Sequence, residues 1–352
     1  MANRNDVAAR AGVSPAVVSY VFNNSNYVSD EKRQAVLKAA KEMEYYPNYA
    51  ARSLKANRTR QLLLVSDDIR NEVFSDMAYY MERIAFDRGY FLSTTSVSRK
   101  KAMNFEKVFY SRQYDAILLA NNVYSQNEIN RIAKQGVPIV LYQTRFYENL
   151  DPSVTIIGTD LKKGTAQLVD YLAAKGHTRI GYIGNPSTPV TPGEAGPFGE
   201  GMRINGYLEA MEGNMLQIHR ELIFTNFLKL SPDSGTPENE SLEETLEQVL
   251  RKIIAGQSSP HRATAYMVTT DLLAAMLVMR LQEQGIRIPE DLEITGFGDT
   301  NSGRLCRPQL TTMQIPTEEI AKAALAALVD KCKGEKTANK LFPPRLIVRQ
   351  SA

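Results

Sequence analysis

Residues Asn5 to Asn24 read N-D-V-A-A-R-A-G-V-S-P-A-V-V-S-Y-V-F-N-N, and the chemistry open to such a stretch is contact with a DNA duplex. Two short helical patterns meet at Gly12-Val13-Ser14, the spacing of a helix-turn-helix, whose second helix can enter a major groove. In that layout the exposed start of the second helix faces base edges. Pro15 and Ala16 offer only apolar contact, for example to a thymine methyl, and Tyr20 carries the one polar tip long enough to reach a base. Ser14 and Ser19 lie nearer the phosphates, and Asn23 is a further candidate contact.

The elements that must hold these side chains have clear start and stop signals. Asn3 can cap the first helix, with Asp6 in capping-box position. Gly12 stands where the chain needs a left-handed residue to leave that helix. Ser14 caps the second helix and Pro15 takes its first position, where a missing N–H is harmless. Val17, Val18 and Val21 should pack inward. A third helix is expected from Ser29 to about Glu44, with Ala35, Val36, Ala39, Ala40 and Met43 facing the same core. Residues 1–60 hold ten Lys/Arg against five Asp/Glu, whereas the remainder carries 32 against 34. The positive excess of the chain therefore sits in its first sixth, as suits a phosphate-binding head on a near-neutral body.

Beyond this head, residues 48–60 read as a connector in which Asn48 can cap a short helix that is marginal alone in water. From Gln61 onward, short apolar strands alternate with helices. Strands are expected at Leu62–Ser66, Tyr90–Thr95, Ala116–Ala120 and Ile139–Tyr142, then near Val154–Gly158, Arg179–Ile183, Glu221–Phe224, Ala265–Val268 and Leu292–Thr295. Helices are expected at Asp76–Arg88, Gln126–Gln135, Leu161–Lys175, Met202–Met211, Leu242–Ala255 and Leu272–Gln284. This pattern predicts an α/β body of two doubly wound parallel sheets in tandem, hence two lobes and a cleft. Ligands of open α/β sheets bind outside the carboxyl ends of strands. That rule nominates Asp67, Asp68 and Phe74 after the first strand and Tyr142 and Gln143 after the fourth. It also nominates Asp160, Arg203, Thr270 and Asp271. Residues 185–201 and 230–240 are rich in Pro, Gly and Ser and read as long loops.

Several runs in order along nearly the whole chain resemble the LacI/GalR family of bacterial transcription regulators. They are D-V-A-x-x-A-G-V-S-x-x-x-V-S, V-S-D-E-K-R-Q-A-V, Y-Y-P-N-Y-A-A-R-S-L-K, G-H-T-R-I-G-Y-I, I-P-E-D-L-E-I-T-G-F, R-P-Q-L-T-T-M and L-I-V-R-Q-S. The resemblance implies a three-helix DNA-binding domain at 1–47, a hinge at 48–60 and a bilobed periplasmic-binding-protein-like domain at 61–352. The implied chain crosses between lobes three times, near Asp160, Glu290 and Pro316–Glu319. The first lobe would then hold about 61–160 and 290–317, and the second about 161–289 and 318–352. Leu54 with Lys55 matches the family's hinge-helix wedge into a minor-groove step, with Asn48 and Arg52 as nearby DNA contacts. Asp160 and Arg203 match family positions at the effector cleft, and Arg203 is implied to meet a sugar hydroxyl or an acid group. A sugar or sugar derivative is the implied effector, and a DNA operator and a second copy of the chain are the implied partners. The sequence departs from the family in two places: Gly298 stands where an effector-binding acid is usual, and Thr270 replaces a frequent Asn.

Two other classes share such a body. An enzyme is disfavoured because no G-x-G-x-x-G follows the first strand and no G-x-x-x-x-G-K-[ST] occurs, while His177, His219 and His261 are isolated. Cys306 and Cys332 lack metal-type spacing, so neither a metal nor a cofactor is expected. A transport binding protein is disfavoured by the basic head and by the absence of a signal-peptide pattern, which point to the cytoplasm. One short recognition helix reads too few base pairs alone, so a dimer on a pseudo-palindrome is expected. No leucine-heptad tail follows the last strand, which favours a dimer over a tetramer.

Overall fold

Among the residues that the computed structural model describes (2–22, 27–46, 58–97, 99–111, 113–121, 123–143, 146–184, 200–225 and 242–352), the chain divides into two units, Met1–Thr59 and Arg60–Ala352. The first unit contains helices α1 (Arg4–Ala11), α2 (Pro15–Phe22) and α3 (Asp30–Glu42). They close over Val7, Ala8, Val18, Val21, Val36, Ala39 and Ala40, all buried, with Ala11, Val17 and Met43 packed partly against them. The helical spacing of these residues is what brings three short helices to one core, since none would be stable alone.

The second unit holds two six-stranded sheets. The first sheet contains β1 (Gln61–Ser66), β2 (Phe91–Ser96), β3 (Ala116–Ala120), β4 (Ile139–Tyr142), β5 (Thr155–Thr159) and β11 (Lys340–Phe342), in the order β11-β5-β4-β3-β1-β2. The second contains β6 (Ile180–Ile183), β7 (Ile223–Phe224), β8 (Ala265–Val268), β9 (Glu293–Gly298), β10 (Thr311–Gln314) and β12 (Arg345–Ile347), in the order β12-β10-β9-β8-β6-β7. All pairings are parallel except β10 with β12. The helices are α4 (Glu72–Asp87), α5 (Arg99–Tyr110), α6 (Gln126–Lys134), α7 (Leu161–Ala174), α8 (Glu200–Gly213), α9 (Leu242–Gln257), α10 (Asp271–Glu283), α11 (Asn301–Leu305) and α12 (Thr317–Lys333). Central strands such as Ala116–Ala120 are buried along their whole length, as expected of parallel strands covered on both faces.

The strand memberships correct the expected lobe boundaries. Strands β9 and β10 lie in the second sheet, so residues 290–314 belong to the second lobe and not the first. Helix α12 packs on α4 and on β3, β4 and β5, which places 317–333 in the first lobe. The chain crosses near Asp160, near Ile315–Thr317 and, unexpectedly, near Pro343–Pro344, between β11 and β12; Glu290 is no crossing. Six of the observed elements escaped the sequence reading: helices α5, α11 and α12 and strands β10, β11 and β12, the last two of only three residues each. Helix α4 also begins four residues before the expected Asp76, because the Asn71 side chain accepts a bond from the Val73 N–H and starts it there. Residues 200 and 201, expected in a loop, open α8, while the rest of that loop and 230–240 lie outside the described residues.

Candidate functional site

In the head, local chemistry fixes the recognition helix closely. The Asn3 carboxamide oxygen accepts from Asn5 N–H at 2.8 Å and Asp6 N–H at 3.2 Å, and Asp6 accepts from Asn3 N–H at 2.8 Å. Gly12 adopts φ +65°, the left-handed exit that a side chain would resist. Ser14 Oγ then accepts from Val17 N–H at 3.4 Å at the start of α2. Arg10 reaches Glu42 at 2.8 Å and ties α1 to α3. With Val18 and Val21 turned inward, Ala16 and Tyr20 lie one turn apart on the outer face of α2, and Tyr20 is 48% exposed. Ser14 is exposed, Pro15 and Ser19 are half-buried, and Ser19 Oγ accepts from Arg4 Nη1 at 3.1 Å. Tyr27 is 94% exposed before α3, an aromatic that helical patterning gave no reason to notice. Asn23, Asn48, Arg52, Leu54 and Lys55 lie outside the described residues.

In the bilobed unit, the carboxyl ends of the strands bring part of the expected cleft together. Phe74, on the first turn of α4, meets Tyr142 edge-on with ring centroids 6.0 Å apart, and both are buried. Burial pushes the Tyr142 hydroxyl up to about 12, against an opposing pull from Arg203 of the second lobe. Arg203 is 7% exposed and its guanidinium stands 4.6 Å from the centroid of the Phe297 ring. Phe74, Tyr142 and Arg203 therefore meet in one interlobe region, and Gln143 follows Tyr142 at the end of β4 beside Gly158. Beside Arg203, one turn back on α8, the fully buried Glu200 accepts a hydrogen bond from the Tyr182 hydroxyl. Glu200 went unnoticed in the sequence because it ends a Pro/Gly-rich run. Neither the described residues nor their spacing supply a group that could hold a metal ion.

The acidic candidates are occupied elsewhere. Asp271, at the first position of α10, is buried. One carboxylate oxygen accepts from Thr300 N–H at 2.7 Å and the other from the Thr312 hydroxyl at 2.6 Å. Burial raises its pKa to about 6 despite these bonds. Asp271 is thus a buried tie within the second lobe. Thr270 caps α10 by accepting from Leu273 N–H at 3.3 Å, and Asp160 caps α7 by accepting from Lys163 N–H at 2.9 Å. Asp68 pairs with Arg70 at 2.6 Å on the surface, and that hydrogen bond holds its carboxyl below the usual range.

The substitution at Gly298 has a backbone cause. Its φ is +136°, a region that side chains rarely adopt, so no acid fits there without a different chain path. The next residue, Asp299, is buried and paired with Arg304 at 2.9 Å and Arg349 at 2.5 Å. Burial acts to raise its pKa, and the two arginines overcome that and lower it. Nearby the two lobes are bridged: Glu72 at the start of α4 accepts from the Thr300 hydroxyl at 2.7 Å and from Ser302 N–H at 3.1 Å.

A helix-turn-helix head followed by a two-sheet ligand-binding body defines the class of ligand-responsive DNA-binding regulators. The comparisons with known proteins make the family definite. Residues 5–48 match the family of bacterial regulatory proteins of the lacI type, and residues 169–352 match the periplasmic binding protein-like domain. The chain belongs to the lacI family of bacterial transcriptional regulators. It is 29% identical over 353 residues to the HTH-type transcriptional regulator DegA of Bacillus subtilis strain 168, covering 98% of this chain and 96% of that protein. It is 28% identical over 356 residues to the HTH-type transcriptional repressor PurR of Escherichia coli O139:H28, covering 100% and 97%. Among solved structures, a lac repressor dimer bound to operator and the anti-inducer ONPF shares the fold. Its TM-score is 0.79 at 19% identity, over 99% of this chain and 98% of that one. A complex of the transcriptional regulator CelR with cellobiose shares the fold at a TM-score of 0.68 and 22% identity, over the full length of both chains.

Proposed function

We propose that this regulator represses transcription by occupying a pseudo-palindromic operator as a homodimer, and that a small neutral carbohydrate in the interlobe cleft controls its occupancy. The observation that carries the reading is the pairing of an exposed α2 face, with Tyr20 at its centre, and an interlobe region where Phe74, Tyr142 and Arg203 meet, in one chain. Tyr142 and Phe74 supply an aromatic wall for the apolar face of a sugar ring, and Arg203 supplies a fork of donors. The relatives named as a CelR–cellobiose complex and a lac repressor bound to operator support the same division of labour.

A dimer follows from the reading mechanism, because one short helix cannot specify a genomic site. Candidate partner surfaces are the exposed apolar residues Tyr79, Phe86 and Phe91 on the first lobe and Leu272 and Met279 on the second. Leu54 of the hinge would wedge into a central base step, one copy per subunit, and bend the duplex. Lys55, Arg52, Asn48 and Asn23 would add contacts beside it. No helix among the described residues is long and apolar enough to cross a membrane. The test is a fluorescence-anisotropy titration of labelled duplex DNA, repeated with saccharides added. Sequence-selective binding whose midpoint moves with one saccharide supports the reading, and binding insensitive to every small molecule removes its control function.

A further inference from the structure

Four non-glycine residues among those described adopt a positive φ: Glu44, Arg60, Met215 and Asp299. Glu44 and Met215 follow helices α3 and α8, where a left-handed residue is an ordinary exit. Asp299 sits in the buried ion-pair cluster described above. Arg60, at φ +57°, has neither setting: it immediately precedes β1, where the connector enters the lobed body. A left-handed backbone is costly for a residue with a Cβ and persists only where neighbours hold it. Both strands that flank β1 supply that hold. The carboxylate of Asp115, just before β3, accepts from Arg60 N–H at 2.9 Å, and Phe91 N–H, at the start of β2, donates to the Arg60 carbonyl at 2.8 Å. Asp115 N–H donates in turn to the Gln61 carbonyl at 2.8 Å. The Arg60 side chain lies over Gly89, φ +74°, in the turn after α4, where a Cβ would stand 2.9 Å from Arg60 Nη1. A guanidinium there also meets the negative end of the helix dipole.

We propose that this clamped turn is the joint that sets the direction in which the chain leaves the body for the DNA-binding head, and that Arg60 and Asp115 are positioning residues for operator recognition. The proposal rests on the paired-head reading above. Two heads that read one symmetric site must leave their bodies at a reproducible angle, because half-site spacing is a geometric constraint. A connector with a loose root would spread its heads over many spacings, and ordering them on DNA would weaken binding. A root whose backbone is held on both sides removes that freedom before DNA arrives. Two-headed, sequence-selective binding therefore depends on the joint, whereas phosphate contact by either head alone does not. The residue types needed follow from the contacts. Asp115 serves Arg60 as a hydrogen-bond acceptor, so a carboxamide can replace it. Arg60 serves through its backbone, so glycine can replace it, and valine, whose branched Cβ resists the left-handed region, cannot.

Two pairs of full-length variants separate geometry from charge. Asp115→Asn and Asp115→Ala lose the same charge, and only the first keeps an acceptor. Arg60→Gly and Arg60→Val lose the same guanidinium, and only the first adopts the turn freely. Fluorescence anisotropy gives the affinity of each for a duplex selected by the wild-type protein from a random pool, and for a scrambled duplex of equal length and composition. The ratio of the two affinities should stay within about twofold of wild type in Asp115→Asn and Arg60→Gly, and fall roughly fivefold or more in Asp115→Ala and Arg60→Val. Affinity for the scrambled duplex should be equal within each pair. Equal ratios within either pair overturn the proposal; a lower melting temperature in Asp115→Ala or Arg60→Val with the ratio intact means that the turn serves folding alone. If the wild type selects no sequence, the operator reading fails, and the joint is judged without DNA. Trypsin cleavage after Arg60, relative to cleavage after Arg58, should then rise severalfold in Asp115→Ala and not in Asp115→Asn, and an unchanged ratio overturns the joint.

Discussion

Asp271 makes the stability of the two-lobed unit depend on pH in a direction opposite to that of most carboxylates. It is almost completely buried beneath α11, with Thr300 N–H and the Thr312 hydroxyl on its oxygens. Burial, the largest influence, lifts its pKa from the ordinary 3.8 to about 6. A carboxyl whose folded pKa is raised holds its proton more tightly in the native state. Its stabilising contribution is therefore complete below the unfolded value and lost as pH rises through about 6. The difference between the two values corresponds to roughly 3 kcal/mol, with a limiting slope of about 1.4 kcal/mol per pH unit. Asp76, raised mainly by burial, acts in the same direction, whereas Asp299 is held low by arginines and loses its contribution only at more acid pH. Urea unfolding followed by circular dichroism between about pH 4 and 8 should show the wild type losing stability as pH rises. Asp271→Asn keeps an acceptor for Thr300 and should flatten most of that slope. A stability difference between the wild type and the Asp271→Asn variant that is constant across this range, or that grows with pH in favour of the wild type, would refute the reasoning.

Other expectations follow from single contacts. Glu72→Ala removes two bonds to a charged acceptor that join the lobes. It should cost roughly 1.5–3 kcal/mol and enlarge the scattering radius of the ligand-free protein, with Glu72→Gln intermediate; an unchanged radius and stability would show that the bridge holds nothing. Gly206→Ala would place a Cβ 2.3 Å from the Lys162 carbonyl oxygen and force α8 away from α7. It should lower stability by roughly 1–3 kcal/mol or more, and an unchanged melting temperature would contradict that packing. Leu54→Ala should weaken specific operator binding by roughly tenfold or more while nonspecific binding persists, because the wedge acts only where the duplex is bent. Equal operator affinity in an anisotropy assay would exclude the wedge.

The sequence disclosed most of the architecture because its signals are local. Asn3, Gly12 and Ser14 terminate helices through their own chemistry, and Ala116–Ala120 or Ile139–Tyr142 can only be buried strands. Lobe membership was less legible, since β9, α11, β10 and α12 follow one another in the chain, yet β9 and β10 join the second sheet while α12 packs on the first, according to tertiary packing alone. The cleft was partly legible for the same reason. Phe74, Tyr142 and Arg203, nominated with the strand ends, meet between the lobes. The engagement of Asp271 with Thr300 and Thr312, and of Asp299 with Arg304 and Arg349, depends on partners 29 to 50 residues away or on a turn of unusual φ.

The central claim is that the basic head reads DNA in pairs under the control of the lobed body. Selecting bound duplexes from a random pool with the full-length protein, and titrating the selected site at several salt concentrations, tests it most directly. The account predicts a two-fold symmetric consensus, affinity well above that for random DNA, and a linear fall of log affinity with log salt that reflects several neutralised phosphates. Selected sequences without two-fold symmetry, or binding with no sequence preference, would contradict it.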